Sequence, residues 1–180
     1  MKAEDLYTRM SRLDQDAFLT FGTTKHFQII LVGGSALILL GVLPRATLDM
    51  DALNPPPELF HLMAKYDMNG HVGAYINNFP YNLEDRLIPI PVGGKCISFF
   101  TASLEDIVIA KLFSERETDR LDIAHPQVLS ALNWEKLIEI AESDEEVKNN
   151  ALNERCYSIF RFNYTEYLQK FKKEKKQCDS

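Results

Sequence analysis

The sequence predicts an α+β fold, a mixed β-sheet lobe over residues 1–102 followed by a helical lobe over residues 103–180. Three observations carry this expectation. Stretches of strand character, such as FQIILV and Lys95 to Thr101, are confined to the first lobe, where stretches of helical periodicity are interleaved with them. From Ser103 onward helical periodicity is the only one left. A length of 180 residues, 46% hydrophobic and 26% charged, gives room for one domain with a real core or for two small lobes sharing a cleft, and excludes a disordered or fibrous chain.

From Ala3 to Phe21 the apolar positions Leu6, Met10, Leu13, Phe18 and Phe21 recur at helical spacing, which makes an amphipathic helix covering one side of a sheet. Phe27 to Val32 is a buried strand running into a tight turn at Gly33 and Gly34. Ser35 then caps a short buried helix that Gly41 closes. In ATLDMDAL, Leu48, Met50 and Ala52 alternate with Thr47, Asp49 and Asp51, so a strand carries both aspartates on one face. Pro55 to Pro57 stop that strand, and Glu58 to Met68 reads as a crossover helix through Leu59, Leu62, Met63 and Tyr66. Further strands are expected at Val72 to Ile76, Arg86 to Pro91 and Lys95 to Thr101, the last two joined as a hairpin at Gly93 and Gly94. The helical lobe opens on a capping box, Ser103-Leu104-Glu105-Asp106, ahead of a buried helix to about Glu115. Asn133 caps a later helix, and a long terminal helix is expected from about Glu145 to Lys173.

A net charge of −6 argues against capture of nucleic acid by the whole surface and confines any such contact to a local patch. The run from Lys170 to Lys176, with five Lys and one Glu, is the place for one. Cys96, Cys156 and Cys178 are dispersed and odd in number, and the four histidines stand apart from them, so neither a disulfide framework nor a zinc site is indicated. No stretch has the roughly 18 apolar residues of a bilayer span, and the acidic N-terminal residues lack the apolar core of a signal peptide. A cytoplasmic protein without membrane attachment is expected.

Chemistry concentrates in GGSALILLGVLPRATLDMDAL. A Gly-Gly-Ser turn lets backbone approach a polyphosphate without a Cβ clash, and offers amides and the Ser35 hydroxyl to its oxygens. Asp49 and Asp51, two apart on a strand, aim two carboxylates into one cleft roughly 6–7 Å apart at the backbone. Hard anionic ligands so placed suit Mg²⁺, which bridges triphosphate oxygens and assists attack on the α-phosphate. Each feature alone is commonplace, but here they come from adjacent elements separated by one short helix.

The Gly-Gly-Ser turn, with thirteen residues between Ser35 and Asp49, resembles the signature of the nucleotidyltransferase superfamily with the polymerase-β-like palm. Arg45-Ala46-Thr47-Leu48-Asp49-Met50-Asp51 is similar to the RxTxDxD form of the minimal and AbiEii-like nucleotidyltransferases of toxin–antitoxin and phage-abortive-infection loci. Downstream, LEDIVIAKLFSERETDRLDI resembles that branch's second motif through Asp106, Lys111, Arg116, Asp119 and Asp122. Lys111 lies at the edge of an apolar stripe of Leu104, Ile107, Val108 and Leu112, so its ammonium is expected at a cleft between the lobes.

The resemblance covers about Gln28 to Ile123. It implies metal-dependent transfer of a nucleoside monophosphate from an NTP to an acceptor hydroxyl. Asp49 and Asp51 would be catalytic ligands of Mg²⁺ or Mn²⁺, Gly33, Gly34, Ser35, Arg45, Thr47 and Arg116 would bind the nucleotide, and Lys111 would offset phosphate charge. It further implies tRNA, or a cognate toxin or antitoxin protein, as partner. The superfamily's third carboxylate has Glu84 and Asp85 as first candidates here, with Asp67 and Asp106 behind them. Two other readings use the same motifs: nucleotidylation of a small molecule of the aminoglycoside type, and nucleotide binding without catalysis.

Overall fold

A five-stranded mixed sheet is assembled from β1 (Phe27–Val32), β2 (Met50–Leu53), β3 (Met68–Asn69), β4 (Ile88–Gly93) and β5 (Ile97–Thr101), in the spatial order β3-β2-β1-β5-β4. The computed structural model describes residues 1–172, the side chains of residues 71–74 excepted; residues 173–176 of the basic run, and Cys178, lie outside the described residues. Central β1 runs parallel to β5 and antiparallel to β2, while β2 runs parallel to β3 and β4 antiparallel to β5. All of β1 but Gln28 is buried, as an apolar run covered on both faces must be.

Helix α1 (Ala3–Phe21) lies against β4 and β5 and against two short helices, α2 (Gly33–Leu39) and α3 (Phe60–Ala64). It buries Leu6, Met10, Leu13 and Ala17, and among them Asp14, 2% exposed. The Asp14 carboxylate accepts three backbone N–H groups, from Cys96 (2.8 Å) and Ile97 (2.7 Å) on Oδ1 and from Lys95 (3.1 Å) on Oδ2. One buried charge thereby fastens the helix to the first residues of β5 and satisfies amides that follow the Gly93-Gly94 turn. Asp14 follows Met10 by four residues and precedes Ala17 by three, so a polar residue on a buried stripe was the signal for it.

The chain divides into two compact units, Met1–Ile76 with Glu84–Ser103, and Asn77–Leu83 with Leu104–Ser180. The first holds the sheet with α1, α2 and α3. The second is helical, with α4 (Leu104–Leu112), α5 (Glu117–Ile123), α6 (Pro126–Ala131), α7 (Trp134–Ala141) and α8 (Glu154–Tyr167). Its core includes stacked rings of Phe113, Phe160 and Tyr164, with successive centroids 4.7 and 5.6 Å apart. Asn77–Leu83 is tied into this unit by the Tyr81 N–H on Glu146 O (2.9 Å) and by Asn150 Nδ2 on Phe79 O (2.8 Å). Among the described residues no helix is long and apolar enough to cross a membrane.

Several expected elements differ. Val72–Ile76 is part of a 3₁₀ segment, His71–Asn78, instead of a strand. The sheet edge on this side is the two-residue β3, followed by Gly70, where a Cβ would lie 2.8 Å from Pro55 Cγ and 3.0 Å from Phe60 Cε1. The crossover helix is short, a 3₁₀ turn at Pro57–Leu59 and then α3, because Asp67 takes a left-handed φ of 53° and turns the chain into β3. Ser35 is the third residue of α2, not its cap; the helix starts at Gly33. At the other end Gly41, with φ 74°, closes it by a Schellman pattern, Val42 N–H on Leu37 O (3.1 Å) and Gly41 N–H on Ile38 O (3.0 Å). The terminal helix is broken into a π-helical turn at Asp144–Lys148 and α8, which Asn153 caps by accepting from the Cys156 N–H at 2.9 Å. Between them Asn150 donates its side-chain amide to Phe79 O and accepts from Asn77 Nδ2 on its own carbonyl.

Asp14→Ala should lower unfolding free energy by roughly 2–4 kcal/mol, because it leaves buried amides without an acceptor. Urea unfolding of the two proteins checks this, and the cost should exceed that of an exposed carboxylate such as Glu4→Ala.

Candidate functional site

The site begins where β1 ends. Val32 pairs with Asp51 on β2, and at the next residue the chain leaves the sheet through Gly33, whose φ is +67°. A Cβ on Gly33 would sit 3.1 Å from Asp51 Oδ2, so the absent side chain is what lets the carboxylate close on the turn. At Gly34 a Cβ would lie 3.0 Å from Arg45 Nη2. The two glycines thus receive a carboxylate and a guanidinium, one each, at the start of α2.

β2 starts only at Met50, so Asp49 stands just before the strand and is exposed, and Leu48, expected on the buried face, is 93% exposed. The reason is that β1 has already become α2 opposite this stretch and offers no backbone to pair with. The loop makes its own bonds instead: the Thr47 N–H donates to Met1 O (3.0 Å), and the Thr47 hydroxyl to Asp49 O (3.1 Å). Arg45 Nη1 donates to Ala46 O at 3.2 Å. Ser35 is 2% exposed and its hydroxyl donates to Val32 O (3.1 Å), so its proton is turned into the helix.

On β3, Asn69 is in register with Asp51, and its Nδ2 donates to Asp51 Oδ1 at 3.3 Å. The strand beside the aspartate therefore presents an amide next to Asp51, not a third acid. Glu84 and Asp85 are exposed in a 3₁₀ turn, Leu83–Arg86, off the sheet. Asp67 is ion-paired with Arg9, and its carbonyl accepts the Met50 N–H at 2.9 Å. Asp106 is fully buried within α4 of the helical unit. Among the described residues no group of three or more His, Cys, Asp or Glu is arranged to hold a metal ion. Two carboxylates and a carboxamide are hard oxygen donors all the same, and Mg²⁺ commonly takes one or two protein carboxylates with the rest of its shell from water and substrate phosphate. The donor set of Asp49 and Asp51 fits such an ion.

In the helical unit, Lys111 is 8% exposed, not at a solvent edge. Its ammonium is held by Asp119 and by Asp122 Oδ2 (3.0 Å), and Arg116 Nε adds a bond to Asp119 Oδ2 at 2.7 Å. Of these four side chains, Arg116, 73% exposed, is the one that reaches water. Burial raises the Asp119 carboxyl, but the charge and hydrogen bond of Lys111, helped by Ser114 and Arg116, outweigh it and hold the group below its ordinary value.

A family model described as "Nucleotidyltransferase of unknown function (DUF6036)" matches residues 8–172. No curated protein and no solved structure matches the chain.

Lys111→Met should cost about 3–5 kcal/mol of stability, since it removes the ammonium that two buried carboxylates share. Thermal and urea unfolding measure it. Folding holds the Asp119 carboxyl below its ordinary value, so its stabilisation is present above the ordinary carboxylate range and is lost as pH falls from there through the lower folded value. Urea midpoints followed downward from pH 6 should therefore drop on passing pH 4, and part of that drop should be missing in Asp119→Asn.

Proposed function

Because the chain belongs to the family described as nucleotidyltransferases of unknown function, we propose that it transfers a nucleoside monophosphate from an NTP to an acceptor hydroxyl, with a divalent cation held by Asp49 and Asp51. The observation that supports this best is the meeting of the Gly33-Gly34 turn with Asp51 on one glycine and Arg45 on the next. In this reading the two glycines admit the triphosphate oxygens to the backbone, and Arg45 places a fixed positive charge beside them. Mg²⁺ or Mn²⁺, when bound, supplies charge neutralisation of the triphosphate. The acceptor oxygen bonds to the α-phosphorus as the α–β bridging bond breaks; pyrophosphate leaves, and the hydroxyl proton passes to water.

Thr47 acts here by shaping the loop that carries Asp49, through its bond to Asp49 O. Ser35 acts likewise by bracing the turn. Lys111 holds its motif together, and Arg116 is the exposed cation of that motif. The AbiEii-like form of the RxTxDxD stretch suggests tRNA or a cognate toxin or antitoxin protein as acceptor or partner in the cytoplasm. A nucleotide-binding protein without turnover is the second reading, and the amide of Asn69 opposite Asp51 is the observation that favours it.

Incubation of the purified chain with each labelled NTP, Mg²⁺ and mixed tRNA, protein or aminoglycoside acceptors should give pyrophosphate release and a labelled acceptor, both absent in Asp51→Asn. NTP binding with no pyrophosphate from any acceptor would select the second reading. Gly34→Ala should fold, because its Cβ meets only the far end of the flexible Arg45 side chain, yet lose tenfold or more in NTP affinity. Fluorescent-nucleotide titration beside a thermal melt separates the two effects.

A further inference from the structure

We propose that Asn69 is the third member of the Asp49/Asp51 centre, a neutral one that positions Asp51 and limits the centre to a single divalent cation. This rests on the reading that the two aspartates hold such a cation.

The placement of Asn69 is over-determined for so short a strand. β3 has only two residues, yet it is pinned at both ends. Before it, Asp67 pairs with Arg9 of α1, and its carbonyl takes the Met50 N–H at 2.9 Å. After it, Gly70 fits against Pro55 and Phe60 with no room for a side chain. Between these anchors Asn69 faces Asp51 in register and reaches it at 3.3 Å.

The contact distinguishes the two oxygens of Asp51. Asn69 Nδ2 holds Oδ1, while Oδ2 is the oxygen that lies against the Gly33 turn. An amide donor thus sets the rotation of the carboxylate and directs one oxygen to the place where backbone and Arg45 converge. A carboxylate at position 69 could not do this while ionised, because it has no proton to donate and would repel Asp51.

Charge then sets the stoichiometry. Asp49 and Asp51 contribute two negative charges, which one divalent cation neutralises. Without nucleotide, a second cation a few ångströms away needs further anionic ligands from the protein, and the residue in register with Asp51 on the neighbouring strand is the neutral Asn69. Asn69 is accordingly a positioning residue.

The test uses Mn²⁺ alone as probe, without nucleotide, on the full chain. Free and bound Mn²⁺ are counted by electron paramagnetic resonance for wild type, Asp51→Asn, Asn69→Ala and Asn69→Asp, each also melted with and without Mn²⁺. The wild type should bind one Mn²⁺ per chain, and Asn69→Ala should bind one several-fold more weakly. Asn69→Asp should melt lower than wild type without metal, be raised more by Mn²⁺, and either bind tenfold or more tightly or take a second ion. A wild type that binds two ions, or an Asn69→Asp isotherm and melt identical to wild type, overturns the proposal. A wild type that binds no Mn²⁺, or binds it as well as Asp51→Asn does, overturns the aspartate reading and the proposal with it.

Discussion

The left-handed turn at Gly33 governs the sheet unit. A strand that paired on past Val32 would extend β2 backward through Leu48 and put Asp49 in the ladder. By turning at φ +67° the chain starts α2 at the point where Asp51 arrives, and the missing Cβ leaves space for that carboxylate. The remaining irregularities of this region follow from it. With no strand to pair with, residues 45–49 bond to Met1 and to one another. The guanidinium of Arg45 settles on Gly34, where a larger residue would hold it off.

Asp14 and the Asp119/Asp122 pair are buried carboxylates held in different ways. In the sheet unit, Asp14 is solvated by three backbone amides, which makes it a substitute for strand pairing at the start of β5. In the helical unit, Asp119 and Asp122 are matched by Lys111 and Arg116, side chain against side chain. Both arrangements stabilise only when complete, because removal of one partner leaves the others desolvated. The same chemistry that resembles a phosphate-binding lysine in sequence thus serves an internal balance in the folded unit.

Sequence patterning located the elements whose partners are local or apolar. The run FQIILV, the Gly93-Gly94 hairpin, the Asn133 cap and the extent of α1 could all be read from periodicity and turn chemistry. It misplaced whatever depended on where another element stops. The alternation in ATLDMDAL is real, but only the half opposite β1 becomes strand. Met68 and Asn69 carry no strand signal of their own; Asp67 turns the chain ahead of them, and Gly70 after them packs against Pro55 and Phe60. Asn69 was accordingly invisible as a site residue, while Glu84 and Asp85, conspicuous by their charge, lie in an exposed turn. Lys111 was assigned to a stripe edge by spacing, and two aspartates eight and eleven residues later in the chain determine where its ammonium goes.

The central claim is that the strand-to-helix turn, with Arg45 and Asp51, receives the triphosphate of an NTP. Backbone amide shifts of the ¹⁵N-labelled chain, titrated with Mg²⁺ and a non-hydrolysable NTP, test it most directly. The account requires the largest and first-saturating shifts at Gly33 and Gly34, with Asp51 and Asn69 next and the Asp14-bound amides of Lys95 to Ile97 unmoved. Shifts centred on other residues, with Gly33 and Gly34 unchanged at saturation, would contradict it.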